Sequence, residues 1–133
     1  MIDLSNITLI SVRQPCADTK IAEIELKLFK KFPKQYVMFL NQSDGFESDI
    51  VRLYSISEIE ERNVTYEVDK YCPDFINIGD DGGGSAIMLK NSFFLDNKVY
   101  LVGHGVMTPA FMEVIGDDFC SWLADGCPLD ALN

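Results

Sequence analysis

Between residues 18 and 32 the apolar positions recur at helical spacing, with Ile21, Ile24, Leu28, Phe29 and Phe32 on one face. Asp18 stands where an N-cap belongs. Glu23 precedes Lys27 by four residues, a favourable pair, and Lys27, Lys30 and Lys31 crowd the last turns, where positive charge suits the helix dipole. Pro33 stops this helix and opens a second, because proline is tolerated at a first helical position. Tyr36, Phe39 and Leu40 form the second apolar face, and Asp44-Gly45 is the turn that ends it. Two short helices joined at a proline cannot both hide their faces alone, so a sheet is expected beneath them.

The period then shortens. Residues 50–54 read as a strand. Ser55-x-x-Glu58 follows as a capping box, with Tyr54 and Ile59 placed for a hydrophobic staple; Ser57-x-x-Glu60 offers a second frame, and either predicts a third helix running to about Asp69. Beyond Cys72-Pro73, strands are expected over 75–78, 86–89, 99–102 and 110–115, with turn signals between them close enough for an antiparallel meander. Phe119, Trp122 and Leu123 mark a closing helix over 118–125, stopped by Gly126 with Pro128 just beyond. Helices first, then strands, then one helix predict an α+β fold rather than a wound α/β fold. The expectation is a single domain over residues 1–133, with its core over about 18–126. A mostly antiparallel sheet of about five strands is flanked by the N-terminal helices and the C-terminal helix.

Charge narrows the function classes. Eleven Lys and Arg face twenty-one Asp and Glu, for a net charge of -10. Such a surface repels phosphate backbones and anionic membranes; it either attracts and steers a basic partner or serves solubility alone. The four cysteines, Cys16, Cys72, Cys120 and Cys127, form no C-x-x-C pair, and His104 is the single histidine. This scatter does not suit zinc. The thiols read as reduced small hydrophobes, with Cys127 near the end of the chain expected to be exposed. The first residues lack the basic start and apolar run of a signal peptide, and no stretch reaches the length of a membrane helix. Together these features predict a cytoplasmic protein with no cofactor.

The loudest local signal is Asp80-Asp81-Gly82-Gly83-Gly84. A phosphate cradle needs a following Lys and Ser or Thr, and two carboxylates would repel phosphate. A calcium loop needs ligands where Gly79 and Met88 fall. A tight hairpin turn with glycines at positive φ explains the run, and leaves the acids beside it available to a partner. His104, between Gly103 and Gly105, reads as a loop residue, since no orienting partner or nucleophile is evident beside it. The adjacent acids at 60–61, 80–81 and 117–118 suit solvent or helix starts better than a sugar cleft. Phe29, Phe32, Tyr36, Phe39 and Trp122 lie on helical stripes and are expected in the core.

These segments, taken in order, resemble the SUKH superfamily, named partly after the yeast Smi and Knr cell-wall regulators. The resemblance runs through Ile24 to Phe32, the Phe32-Pro33 step, Tyr36, Phe39-Leu40 and Asp44-Gly45. It continues with the strand and Ser-capped helix from Leu53 to Glu61, then Ile78-Gly79-Asp80 with its Gly-rich turn. It closes on Asp118-Phe119-x-x-Trp122-Leu123. It spans about residues 20 to 125. The resemblance implies a non-catalytic protein-binding module. In bacteria such domains look like immunity proteins that neutralise a cognate toxin, many of them nucleases; the yeast relatives imply a regulatory or scaffold module instead. On the immunity reading the partner is a basic toxin domain, met by Asp44, Glu47, Asp49, Asp80 and Asp81 in expected loops beside the sheet.

Overall fold

In the computed structural model, which describes residues 1–132, the first apolar stripe becomes helix α1 (Asp18–Leu28) and buries Ile21, Ile24 and Leu28. The helix ends four residues before the stripe does. Phe29 takes a left-handed conformation, φ 55°, and its N–H reaches back to the carbonyls of Glu25 and Leu26. Its ring is therefore turned out and 88% exposed, whereas Phe32 is buried from the connecting segment. The Glu25 carboxylate fixes that segment by accepting from the Phe32 N–H at 2.7 Å. Asp18 is the first residue of α1 rather than its cap. Its carboxylate accepts from the Asn41 amide at 2.9 Å and ties α1 to the next helix, α2 (Lys34–Gln42). Tyr36, Phe39 and Leu40 of α2 are buried, as their spacing predicts.

Helix α3 (Ile56–Thr65) starts on the Ser55–Glu58 capping box, with both reciprocal hydrogen bonds formed. It stops short of Asp69 because Glu67 is left-handed, φ 52°, and breaks the run before a single further turn, α4 (Val68–Tyr71). The last helix, α5 (Phe119–Ala124), is capped by Asp118, whose carboxylate accepts from the Ser121 N–H.

Among the described residues the sheet has seven strands, paired antiparallel in chain order: β1 (Leu9–Val12), β2 (Phe46–Ser48), β3 (Arg52–Leu53), β4 (Phe75–Asp80), β5 (Ser85–Lys90), β6 (Val99–Gly103) and β7 (Glu113–Gly116). The meander is as expected, with two more strands than the apolar pattern suggests. β1 and β2 are short, and their pairing, not their composition, defines them. The strand expected over 50–54 shrinks to β3 because Ser48 Oγ accepts from the Val51 N–H at 3.0 Å and folds the preceding residues into a turn. Residues 109–111 form a 3₁₀ turn, so β7 begins later than expected.

Both faces of the central strands are covered. Ile87 and Leu89 of β5 join the main core with Ile24, Phe39, Ile59 and Trp122. Ala86 and Met88 point the other way, onto Val68, Cys72, Phe75 and Met107. A bulge at Ile78 shifts the β4–β5 register. The buried Asn63 of α3 clamps it, donating to the Asn77 carbonyl at 2.9 Å and accepting from the Asn77 N–H at 2.9 Å. Cys127 is fully buried, against the sequence expectation. Gly126 (φ 89°) and Cys127 (φ 61°) turn the chain back under α5, and the Cys127 N–H bonds the Trp122 carbonyl at 2.9 Å.

Candidate partner-binding cleft

β3 and the end of β4 bring Arg52 opposite Asp80 in register. Asp80 closes β4 rather than belonging to the glycine turn, and it is buried. Its Oδ2 accepts from the Tyr54 hydroxyl at 2.7 Å and from Arg52 Nη2 at 2.9 Å; its Oδ1 accepts from the Gly82 N–H at 2.9 Å. Burial pushes this carboxyl up, but the bonds from Tyr54, Arg52 and Gly82 outweigh burial and hold it below the usual carboxylate value. The Tyr54 hydroxyl is pushed up, by burial first and by its bond to Asp80 second. The Asp80 bond raises Arg52 in turn.

The Tyr54 ring carries two guanidinium groups, Arg52 at 5.4 Å and Arg62 at 5.6 Å from its centroid. Arg62 comes from the last turn of α3. The β4–β5 turn is closed by Asp81, whose Oδ1 accepts from the N–H groups of Gly83 at 2.9 Å and Ser85 at 3.2 Å. Of the three glycines only Gly82 takes positive φ, 77°, so the tight turn is as expected but needs the left-handed region at one position alone. His104 donates its backbone N–H to the Gly84 carbonyl at 2.8 Å. Its ring stacks on Tyr66, centroids 4.5 Å apart and planes 4° from parallel.

These elements enclose an open cleft of about 420 Å³. Its floor holds Arg52, Arg62 and Asp80, one wall is the Tyr66–His104 stack, and its rim carries Glu47, Asp49 and Asp81. Four of the five acids singled out in the sequence thus line one cleft. Asp44 lies outside it, at the start of α3, where its carboxylate accepts from the Ile56 N–H at 2.7 Å. The four differ in what they offer. Asp80 and Asp81 already accept internal bonds. Glu47 and Asp49 are exposed, and Glu47 stands directly across the β2–β3 pair from Arg52. Sequence reasoning missed Arg52, Arg62, Tyr54 and Tyr66. Only the pairing of β3 with β4 and the length of α3 bring them together, and no local motif encodes either.

Burial pushes the Cys16 and Cys72 thiols up to about 11 and the Cys127 thiol up to about 12. Among the described residues, no group of three or more His, Cys, Asp or Glu is placed to hold a metal ion. None of the described helices is long and apolar enough to cross a membrane.

Among curated proteins, none matches the chain closely enough to count as a relative. The family model for the SMI1 / KNR4 family (SUKH-1) matches residues 15–125, from the entry to α1 through the end of α5. An antiparallel sheet carrying amphipathic helices, over nearly the whole length of that match, marks this α+β chain as a member of the SMI1 / KNR4 family (SUKH-1).

Proposed function

We propose that this chain is a non-catalytic, cytoplasmic immunity protein that binds and neutralises a basic toxin domain, such as a nuclease, through the rim of the cleft. The observation that carries this reading is the gathering of Glu47, Asp49 and Asp81 around one concave surface in a chain of net charge -10. Family membership supports a protein-binding role. Exposed carboxylates such as those of Glu47 and Asp49 steer a cationic partner and speed its capture without being consumed in folding contacts. Asp80 serves here as a support for Arg52 and the turn, and Asp81 serves both the turn and the rim. Neither nucleic acid nor an anionic membrane is a fitting direct partner for such a rim.

Growth rescue tests the proposal. The chain is co-expressed with each toxin domain encoded beside its gene, and survival is compared with cells lacking it. Protection against one such toxin, and not against unrelated ones, is the expected result. Protection against none overturns the immunity reading in favour of a regulatory or scaffold module of the Smi/Knr type.

A further inference from the structure

We infer that the cleft floor is a carboxylate receptor: Arg62, seated beside Arg52 and His104, takes an acidic side chain that the partner presents within its basic surface. The inference rests on the cleft being the partner-binding face. Two guanidinium groups share the Tyr54 ring, and a single buried carboxylate, Asp80, lies with them. Asp80 is fully engaged by Arg52, Tyr54 and Gly82, which leaves Arg62 with Glu61, outside the cleft lining, as its counter-charge. Arg62 Nε is buried with no hydrogen-bond acceptor. The Glu61 carboxylate comes within 3.3 Å of that atom but off the hydrogen-bonding line, and its side chain is 60% exposed. Arg52 Nε and His104 Nε2, on the same cleft, are also buried without partners. Unanswered polar groups of this kind are costly inside a fold, and a ligand that supplies the missing partner is one way to answer them.

The chemistry of the acceptor follows from the rim. A phosphate would bring two negative charges past Glu47, Asp49 and Asp81 and be repelled. A single carboxylate flanked by lysine or arginine satisfies both levels. Its oxygens meet the planar Arg62 fork, and the flanking cations meet the rim. The cleft would then discriminate among basic partners, favouring one with an acid at the centre of its cationic patch.

Two end-capped peptides, Lys-Glu-Lys and Lys-Gln-Lys, separate this arrangement from simple attraction to positive charge. Each is titrated into the full chain at low salt while the arginine Nε–H and His104 ring signals are followed by NMR. The expected result is a saturable shift of the Arg62 signal, with the Glu peptide binding at least about fivefold more tightly than the Gln peptide. Arg62→Gln should bring the two peptides level, and Arg62→Lys should recover only part of the difference. Unchanged backbone spectra establish that both variants are folded. Equal binding of the two peptides by the natural chain, no saturable shift with either, or an undiminished preference in Arg62→Gln overturns the inference. Growth rescue reads the immunity proposal separately, so a chain that protects cells yet shows no preference has lost the carboxylate receptor alone.

Discussion

Replacing Asp80 with asparagine removes the one negative charge from the cleft floor while keeping the side chain's shape. The carboxylate accepts three hydrogen bonds, from Tyr54, Arg52 and Gly82. Asparagine has one acceptor oxygen, and its amide must face either the Gly82 N–H or the Tyr54–Arg52 pair. At least one donor is then left without an acceptor, at a cost of about 1–3 kcal/mol. The Arg52 bond also loses its charge-assisted part. A fully buried pair broken on one side costs about 3–5 kcal/mol. Arg52 is 34% exposed and can rehydrate, which lowers the expected loss to about 2 kcal/mol. Trp122, the single tryptophan and buried, reports unfolding by fluorescence. With a urea dependence of about 2 kcal/mol per molar, the midpoint should fall by about 1 M. The pH dependence gives a second reading. The folded Asp80 carboxyl lies below its unfolded value, so its contribution is fully present above the unfolded value near 3.9 and is lost as pH falls through the folded one. The gap between the natural chain and Asp80→Asn should therefore be full at pH 7 and close in strong acid. A loss under about 0.5 kcal/mol at pH 7, or a gap that does not change with pH, would refute this account of the floor.

Asn63→Ala strips both partners from the Asn77 backbone at the β4 bulge and should destabilise the chain by about 3 kcal/mol in the same urea titration. Phe29→Asn should leave stability unchanged or raise it by up to about 1 kcal/mol, because an exposed ring in a left-handed conformation gives way to a residue that tolerates that conformation. A loss beyond 1 kcal/mol would mean that the ring is packed after all. In the native chain at pH 8 a thiol reagent should label Cys120 first, since Cys16, Cys72 and Cys127 are buried and their thiols are held at about 11 to 12. Mass spectrometry of partly labelled protein identifies the site, and early labelling of Cys127 would contradict its burial.

The fold was legible wherever long apolar stripes meet strong punctuation. The Ser55 and Ser57 capping frames put the start of α3 within two residues, and Pro33 marks the start of α2, as its N-cap rather than its first residue, because capping and proline geometry act within a few residues; α1 closes earlier, at Phe29. Phe29 misled the same reasoning. A helical stripe marks a face, but the carbonyls of Glu25 and Leu26 decide where the helix closes, and that turned the ring outward. β1 and β2 were illegible because short strands owe their existence to partners far along the chain, as Leu9 does to Ser48. Cys127 escaped because burial near the end of the chain depends on the turn through Gly126, a conformation that composition does not report. At the cleft, the exposed acids were found by charge and proximity to turns. The arginines that give the floor its chemistry were not, since Arg52 and Arg62 come together only around the Tyr54 ring.

The central claim is that the cleft rim captures a basic toxin. The most direct test is the association rate with the toxin identified by growth rescue, measured by stopped flow across a salt series for the natural chain and for Glu47→Lys/Asp49→Lys. Both residues are exposed, so the double variant leaves the core intact. Electrostatic steering predicts a natural rate near 10⁸ M⁻¹s⁻¹ at low salt, falling steeply with ionic strength, and a double-variant rate nearer about 10⁶ M⁻¹s⁻¹ with a flattened salt dependence. Equal rates and equal salt slopes for the two proteins would contradict the claim and move the binding surface to another face.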